Sequence, residues 1–169
     1  AATRGNGEVG EAVLEQVRTI RSIPLAIPFQ GRFEVQGECI MRLSVLEKYN
    51  EKAEEPLKNA RNGAAGALRN LDPKVTAARS LDAFFYNIGY CEGREFRQEE
   101  DYFAFLRENG LPTMGILGIY EELGELMEAI ERYESRRHEL DFLTDGLVVK
   151  VCDLSVREQL GHTDKFPRW

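Results

Sequence analysis

The sequence has 169 residues, 22 of them basic and 29 acidic, so its formal net charge is −7. Hydrophobic residues make up 43% and charged residues 30%, which excludes collagen-like, disordered and disulfide-scaffold classes. No apolar run approaches the roughly 18 residues that a membrane span needs, and the length indicates one domain with one core over residues 1–169.

The first third of the chain alternates between turn signals and short periodic segments. Residues 3–11 are rich in glycine and predict a loop or a hairpin tip. Residues 11–18 favour a short helix, and two prolines then interrupt regular structure. Residues 32–41 alternate apolar and polar side chains, which predicts a half-buried strand with Glu38 on its polar face beside Gly37.

The middle of the chain predicts two helices and a strand. Ser44 and Glu47 have capping-box spacing, so we expect a helix from there to about Ala53. Residues 62–69 are small and predict a short, tightly packed helix. Residues 83–91 predict a buried strand.

The last third predicts one long helix and one strand. Apolar residues recur at helical spacing over residues 120–133 and indicate an amphipathic helix. Residues 146–152 are β-branched and apolar except for Lys150, which predicts a strand. Helices and strands mix without a βαβ rhythm, so the fold class is α+β.

The negative charge is concentrated in one part of the sequence. Residues 92–141 carry 14 acidic and 6 basic side chains, whereas residues 56–80 carry five basic side chains and one acidic. We interpret the acidic segment as a solvated helical face. A phosphate-binding surface elsewhere in the chain is therefore compatible with the net charge.

Lys150 is the most informative single residue, because an unpaired ammonium is costly to bury in an apolar strand. Strand alternation would put Val148 and Lys150 on one face, where an apolar shelf beside a cation suits a ring next to a phosphate. The alternative is an edge-strand lysine that protects against aggregation. Asp145 and Gly146 form a common turn pair just before it.

Two further regions are candidate binding sites. Glu38 would accept hydrogen bonds from a ribose or hold a metal, and the alternative is a surface glutamate. Residues 59–69 place Arg61 and Arg69 near a helix N-terminus, which suits an anion. The alternative there is a packed helix whose arginines pair with nearby glutamates.

Cysteine and histidine carry no metal or nucleophile pattern. Cys39, Cys91 and Cys152 are far apart and predict reduced thiols in a cytosolic protein rather than a zinc knuckle. His138 and His162 lack partner spacing, so we expect both to be structural or surface residues. The first residues lack signal-peptide character.

Five stretches, in order, match one known family. They are ATRGNGEVGE with VRTIRSIPL, FEVQGECIM, NARNGAAGALRNLDPKVTAARSL, TDGLVVKV and LGHTDKFPRW. Together they resemble the adenylation (nucleotidyltransferase) domain of bacterial NAD⁺-dependent DNA ligases. The resemblance implies the nucleotidyltransferase fold, with antiparallel sheets flanked by helices, here incomplete.

The resemblance also implies roles for individual residues. By this resemblance Arg4 contacts the nucleotide and Glu38 meets its ribose. Val148 would lie against the adenine and Lys150 would meet the α-phosphate. The remaining matches would lie on the phosphate and DNA side of the site: Arg61, Arg69 and Asp145.

The implied function is sealing of nicks in double-stranded DNA, with NAD⁺ as the adenylate donor and Mg²⁺ as cofactor. The family further implies a bacterial, cytoplasmic monomer that acts in DNA replication and repair, with no membrane partner and with zinc only in a downstream domain. The family's nucleophilic lysine belongs to a K-x-D-G motif that would precede the ATRG stretch. We therefore expect this fragment, truncated at both ends, to be inactive alone.

Two other functions remain open from the sequence. One is a non-catalytic nucleotide- or DNA-binding module derived from a ligase. The other is an ATP- or GTP-using relative, against which the NARNGAAGALRNLDP stretch argues. The family usually has aspartate, proline and alanine where this sequence has Asn6, Ala60 and Gly63.

Overall fold

The computed structural model of the chain describes residues 1–164 and 166–169, so Lys165 of the LGHTDKFPRW stretch lies outside the described residues. The structure combines helices with one two-stranded antiparallel sheet, which confirms the α+β class. In chain order the elements are α1 (Leu14–Val17), β1 (Phe33–Ile40), α2 (Leu43–Asn50), α3 (Ala60–Leu68), α4 (Pro73–Ala78), β2 (Asp82–Cys91), α5 (Glu99–Glu108), α6 (Leu123–Arg136) and α7 (Leu154–Leu160).

The chain forms two compact units. Unit 1 comprises Ala1–Ala26, Glu38–Phe84 and Ser135–Thr144. Unit 2 comprises Ile27–Gly37, Phe85–Glu134 and Asp145–Trp169. Each unit has buried side chains of its own.

Unit 1 is packed around α3, which contacts α1, α2 and α4. The buried face of α3 consists only of small residues, which let the neighbouring helices approach closely: Ala60, Gly63, Ala64 and Ala67. Thr76 of α4 is buried there, and its hydroxyl donates to the backbone oxygen of Ala67 at 2.8 Å. This confirms the short, tightly packed helix that the sequence predicts.

Unit 2 is packed around α5 and an aromatic cluster. Phe103, Phe105 and Leu106 of α5 are buried. The rings of Phe29 and Phe33 pack edge to face on Phe105, with centroids 5.2 and 5.8 Å away, which is the preferred geometry for aromatic pairs. Helices α4, α5 and α7 have no counterpart among the elements predicted from the sequence.

Several local predictions are confirmed. Residues 3–11 form a hairpin tip, closed by the bridge between Ala2 and Ala12. The predicted strand at residues 32–41 is β1, and it is half-buried as its alternation indicates. The strand predicted over residues 83–91 is β2, but it is half-buried rather than buried, with Tyr86 and Tyr90 exposed.

The predicted capping box at Ser44 is wrong. Helix α2 begins at Leu43, with Arg42 rather than Ser44 at its N-cap position. Ser44 bonds instead to Asp141, whose carboxylate accepts from the Ser44 backbone N–H at 2.8 Å and from its hydroxyl at 2.6 Å. A residue almost a hundred positions away therefore satisfies the free donors of this helix N-terminus, which local spacing cannot reveal.

The predicted strand over residues 146–152 is also wrong, since the structure assigns no strand to that segment. A strand needs a continuous ladder to a neighbour, however β-branched its residues are. Among the described residues, the nearest pairing is one isolated bridge directly after the segment, between Gln98 and Asp153. The backbone N–H of Glu99 donates to the oxygen of Cys152 at 2.9 Å.

The predicted amphipathic helix is α6, and it forms as expected. Its apolar side chains are only half-buried or exposed, and none is fully buried. Leu123 and Met127 are among the exposed ones. Among the described residues, no helix is long and apolar enough to cross a membrane.

The Asp141 cap predicts a pH-dependent contribution to stability. Hydrogen bonds from the Ser44 side chain and backbone hold the pKa of Asp141 below its usual value. A carboxyl with a lowered folded-state pKa contributes stability above its unfolded pKa and loses it as pH falls through the folded one. We expect Asp141→Ala to unfold at a lower temperature at pH 7, with the gap narrowing between about pH 5 and about pH 2.

Thermal unfolding of both proteins by circular dichroism across that range checks this expectation. Ser44→Ala is the matched variant, because it removes one of the donors that stabilise the carboxylate. An unfolding-temperature gap that is the same at both ends of the range contradicts the assignment.

Candidate functional site

Arg4 lies at the tip of the N-terminal hairpin and is exposed. The Asn6 side-chain oxygen accepts from the backbone N–H groups of Glu8 and Val9 at 3.0 and 2.8 Å and so closes the tip. Aspartate offers the same acceptor, so Asn6 in place of the family's usual aspartate preserves this turn. Gly5 is required, because it has φ +55° and an added Cβ would lie 1.8 Å from the Val9 oxygen.

Arg61 and Arg69 stand near the two ends of α3, and both are exposed. Asn59 caps the helix by accepting from the Asn62 backbone N–H at 2.8 Å. Arg69 forms an ion pair with Glu11 at 3.5 Å. This agrees with the alternative given from the sequence, in which the arginines of this helix pair with glutamates. Both side chains of that pair are mostly exposed, so an arriving phosphate can compete for this arginine.

Glu38 lies on β1 and is exposed, as its place on the polar face predicts. The neighbouring Cys39 points the other way in the alternation and is half-buried. Burial, and to a lesser extent the Glu38 carboxylate, raises the pKa of the Cys39 thiol to about 11. Burial also raises the pKa of Cys91 and Cys152, and all three cysteines are free. None of the three is therefore an activated nucleophile.

Asp145 and Val148 lie in the irregular segment before α7. Both are exposed, and Val148 is 81% exposed. Lys150 differs, because its side chain is only 21% exposed. The shared face of Val148 and Lys150 was predicted from strand alternation, and the segment is not a strand.

Lys150 is held by a partner that the sequence analysis missed. Its Nζ lies 2.9 Å from Oε1 of Glu99, the first residue of α5. Glu99 is 6% exposed, although it belongs to the acidic segment interpreted as a solvated face. For this residue that interpretation is wrong, because a carboxylate beside two cations can be buried at lower cost than an unpaired one.

The second cation is Arg157 of α7, which is 5% exposed. Its Nη1 lies 2.7 Å from Oε2 of Glu99, and its Nε donates to the backbone oxygen of Val151. The guanidinium stacks on the Trp169 ring, 4.7 Å from the centroid. A lysine in an apolar stretch signals that a carboxylate must be near, but no sequence signal singled out Glu99.

The predicted site residues divide between the two units. Unit 1 holds Arg4, Glu38, Arg61 and Arg69. Unit 2 holds Asp145, Val148 and Lys150. That Glu38 and Lys150 face one shared cleft stays a prediction.

Histidines, cysteines and acidic residues are the side chains that could hold a metal ion. Within residues 1–164 and 166–169, no group of three histidine, cysteine or acidic side chains is placed to hold a metal ion. His162 packs edge to face against Trp169, with ring centroids 6.0 Å apart, in keeping with a structural role. The exposed arginines and the partly exposed ammonium of Lys150 are groups that can bind anions.

Comparisons with known proteins agree with the resemblance. The family model "NAD-dependent DNA ligase adenylation domain" matches residues 1–169. The chain is 54% identical to a DNA ligase of Alkaliphilus metalliredigens and 56% identical to one of Alkaliphilus oremlandii, over all of this chain and 26% of each relative. A DNA ligase of Finegoldia magna is 49% identical over the same share. The chain thus spans about a quarter of the length of these relatives.

The helix that carries Arg61 and Arg69 contains a glycine that packing does not require. An added Cβ at Gly66 would meet nothing within 4 Å, and the residue lacks a positive φ. We expect Gly66→Ala to stabilise the chain by about 0.5–1 kcal/mol, because glycine weakens a helix interior. Denaturant unfolding measures this change.

Gly63→Ala in the same helix is the matched control. Its Cβ would lie 3.0 Å from the sulfur of Met41 and 3.1 Å from a methyl group of Leu57. Crowding there offsets the gain, so the control should be stabilised less than Gly66→Ala. A Gly66→Ala variant less stable than the parent sequence would show that this glycine is needed by the fold.

Proposed function

The chain belongs to the NAD-dependent DNA ligase adenylation domain family, and on that premise we propose that its parent protein seals nicks in double-stranded DNA with NAD⁺. The observation that carries the proposal is the family match over all 169 residues, together with relatives named DNA ligase. We propose further that this chain contributes most of the nucleotide pocket but not the nucleophile. None of its lysines is followed by the x-D-G of the family motif.

The first step is transfer of adenylate to an enzyme lysine. The neutral amine of that lysine, elsewhere in the parent protein, attacks the α-phosphorus of NAD⁺. A nitrogen–phosphorus bond forms, the bond to the bridging oxygen breaks, nicotinamide mononucleotide leaves, and the amine proton is released. The product is a lysyl-AMP phosphoramidate.

Two phosphoryl transfers complete the reaction. An oxygen of the DNA 5′-phosphate attacks the AMP phosphorus, and the lysine leaves with a proton. The 3′-hydroxyl then attacks the activated 5′-phosphate, loses its proton, and AMP leaves as the phosphodiester forms. No redox change occurs in any of these steps.

Within this scheme Lys150 stabilises the negative charge that grows on the α-phosphate in the first transition state. A half-buried ammonium supports that role, because an electrostatic interaction is stronger where water is partly excluded. Arg4 and Glu38 position the nucleotide and its ribose, and Val148 packs on the adenine. The exposure of Val148 supports this, since its apolar side chain is open to a ligand.

Arg61, Arg69 and Asp145 belong to the phosphate and DNA side of the proposed site. Guanidinium groups bind phosphate oxygens in a bidentate geometry, so exposed arginines near both ends of α3 suit a nicked strand. Five basic side chains against one acidic in residues 56–80 support a DNA-facing surface despite the net charge of −7.

Mg²⁺ is part of the proposal as a counter-ion for substrate phosphates. This ion keeps several waters and is often bound through substrate phosphates rather than by a protein cage. The described residues of this chain form no such cage. We further propose the nucleotidyltransferase fold for the complete domain, and a monomeric parent enzyme in the bacterial cytoplasm.

The second candidate is a non-catalytic module that binds nucleotide or DNA. The genomic sequence upstream of Ala1 discriminates between the two, because a K-x-D-G motif there favours the enzyme.

The 169-residue chain by itself should not become adenylated, since it supplies no nucleophilic lysine. We expect no covalently labelled band after incubation with adenylate-labelled NAD⁺ and Mg²⁺ and analysis on a denaturing gel. The full-length ligase, treated in parallel, should give a labelled band. Labelling of the short chain would refute this part of the proposal.

In the full-length ligase, Lys150→Ala should slow lysyl-AMP formation by about 10²–10³-fold. Glu99 keeps Arg157 as a partner in this variant, so the fold should persist and circular dichroism should be unchanged. Lys52→Ala, at an exposed lysine after α2, is the matched control and should react at the normal rate. A folded Lys150→Ala enzyme with near wild-type adenylation would remove Lys150 from the mechanism.

A further inference from the structure

The buried carboxylate of Glu99 contacts the ammonium group of Lys150 within unit 2. Its Oε1 lies 2.9 Å from Nζ of Lys150, and the carboxylate is almost fully buried. Glu99 is the first residue of α5, where the helix dipole favours a negative charge. Its backbone N–H also donates to the oxygen of Cys152, two residues beyond Lys150. The same residue thus contacts both the side chain and the neighbouring backbone of the lysine segment.

Arg157 fixes Glu99 in turn. It pairs with Oε2, the oxygen that Lys150 does not use, at 2.7 Å. Its Nε donates to the backbone oxygen of Val151, which directly follows Lys150. Each carboxylate oxygen therefore lies beside one cation, and the contact at Oε2 is an ion pair without a hydrogen bond. One connected set of contacts thus reaches the ammonium group of Lys150 and the backbone of Val151, the next residue.

The charges of this cluster are unequal, with one carboxylate and two cations. Arg157 is the more deeply buried cation, with a side chain 6% exposed against 21% for Lys150. Arg157 can balance Glu99 alone, so the positive charge of Lys150 is available to an incoming anion without leaving a buried carboxylate unpaired. One cation is enough to form a structural ion pair with Glu99. Lys150 is the second cation, and its side chain is the one that solvent and ligand can reach.

We propose that Glu99 is a positioning residue for Lys150, which holds the ammonium in one place before the nucleotide binds. This inference rests on the proposed role of Lys150 at the α-phosphate. A free lysine side chain loses up to about 2 kcal/mol of rotamer entropy when it is fixed. If Glu99 already fixes the Lys150 side chain in the free enzyme, this entropy is not lost again on reaching the transition state. An oriented group needs no reorganisation when the reaction occurs.

The test is a double-mutant cycle in the full-length ligase with Glu99→Gln, Lys150→Met and the double variant. Single-turnover lysyl-AMP formation is measured at saturating NAD⁺, together with KM for NAD⁺ and the unfolding temperature. Glu99→Gln should slow adenylation by about 10–100-fold, the range typical of groups that orient a reacting residue. KM should stay within about twofold, because the lost interaction acts mainly in the transition state.

The decisive comparison is made in the Lys150→Met background. There Glu99→Gln should change the rate by no more than about twofold, because the residue through which it acts is gone. Glu158 is exposed on α7, and Glu158→Gln removes one negative charge just as Glu99→Gln does. This matched control should leave the rate unchanged. If Glu99→Gln does not fold, Glu99→Asp takes its place. The shorter aspartate keeps a negative charge beside Arg157 and increases the distance between the carboxylate and the Lys150 ammonium.

The outcomes separate the two proposals. Equal slowing by the Glu99 change in both backgrounds would mean a purely structural residue and overturn the inference. A slow Lys150→Met enzyme beside a normal Glu99→Gln enzyme would overturn the inference alone. A Lys150→Met enzyme that adenylates at the normal rate would overturn the proposed function of Lys150, and the positioning role with it.

Discussion

One buried carboxylate organises the part of the molecule that carries Lys150. Glu99 joins the start of α5 to Arg157 of α7 and to the irregular segment before it. Removing one member of a buried ion pair typically costs about 3–5 kcal/mol, because the charge left behind is unpaired. The segment over residues 146–152 therefore keeps a defined conformation without the ladder of a strand.

Unit 1 achieves its order by a different means. Its central helix, α3, buries only small side chains, so three neighbouring helices pack closely against it and its arginines remain at the surface. The caps are polar and specific, with Asn59 acting locally and Asp141 acting on α2 from a distant part of the chain. Small residues inside and arginines outside allow one short helix to serve both packing and anion binding.

The apolar stretch around Lys150 and the resemblance to the ligase family both point to this residue, and its role at the nucleotide stays a prediction. Strand alternation predicted a shared face with Val148, and the strand did not form. The underlying point, that a lysine in an apolar stretch needs a carboxylate or a function, remains valid. The carboxylate is that of Glu99, which contacts both Lys150 and Arg157. Because the cluster has two cations and one carboxylate, Lys150 can also interact with an anionic ligand.

Local patterns in the sequence determined the hairpin tip, β1, the small-residue helix α3 and the amphipathic helix α6, because glycine placement, alternation and helical period act over a few residues. The family was recognised by resemblance, from five motifs in order along the chain, and the family model confirms it. Tertiary structure alone decided which carboxylate meets Lys150, that Asp141 caps α2, and that residues 146–152 stay irregular. Each of these depends on residues about fifty to a hundred positions apart in the chain. A buried charge or a free helix donor states only that a partner is needed, and the folded chain determines which residue provides it.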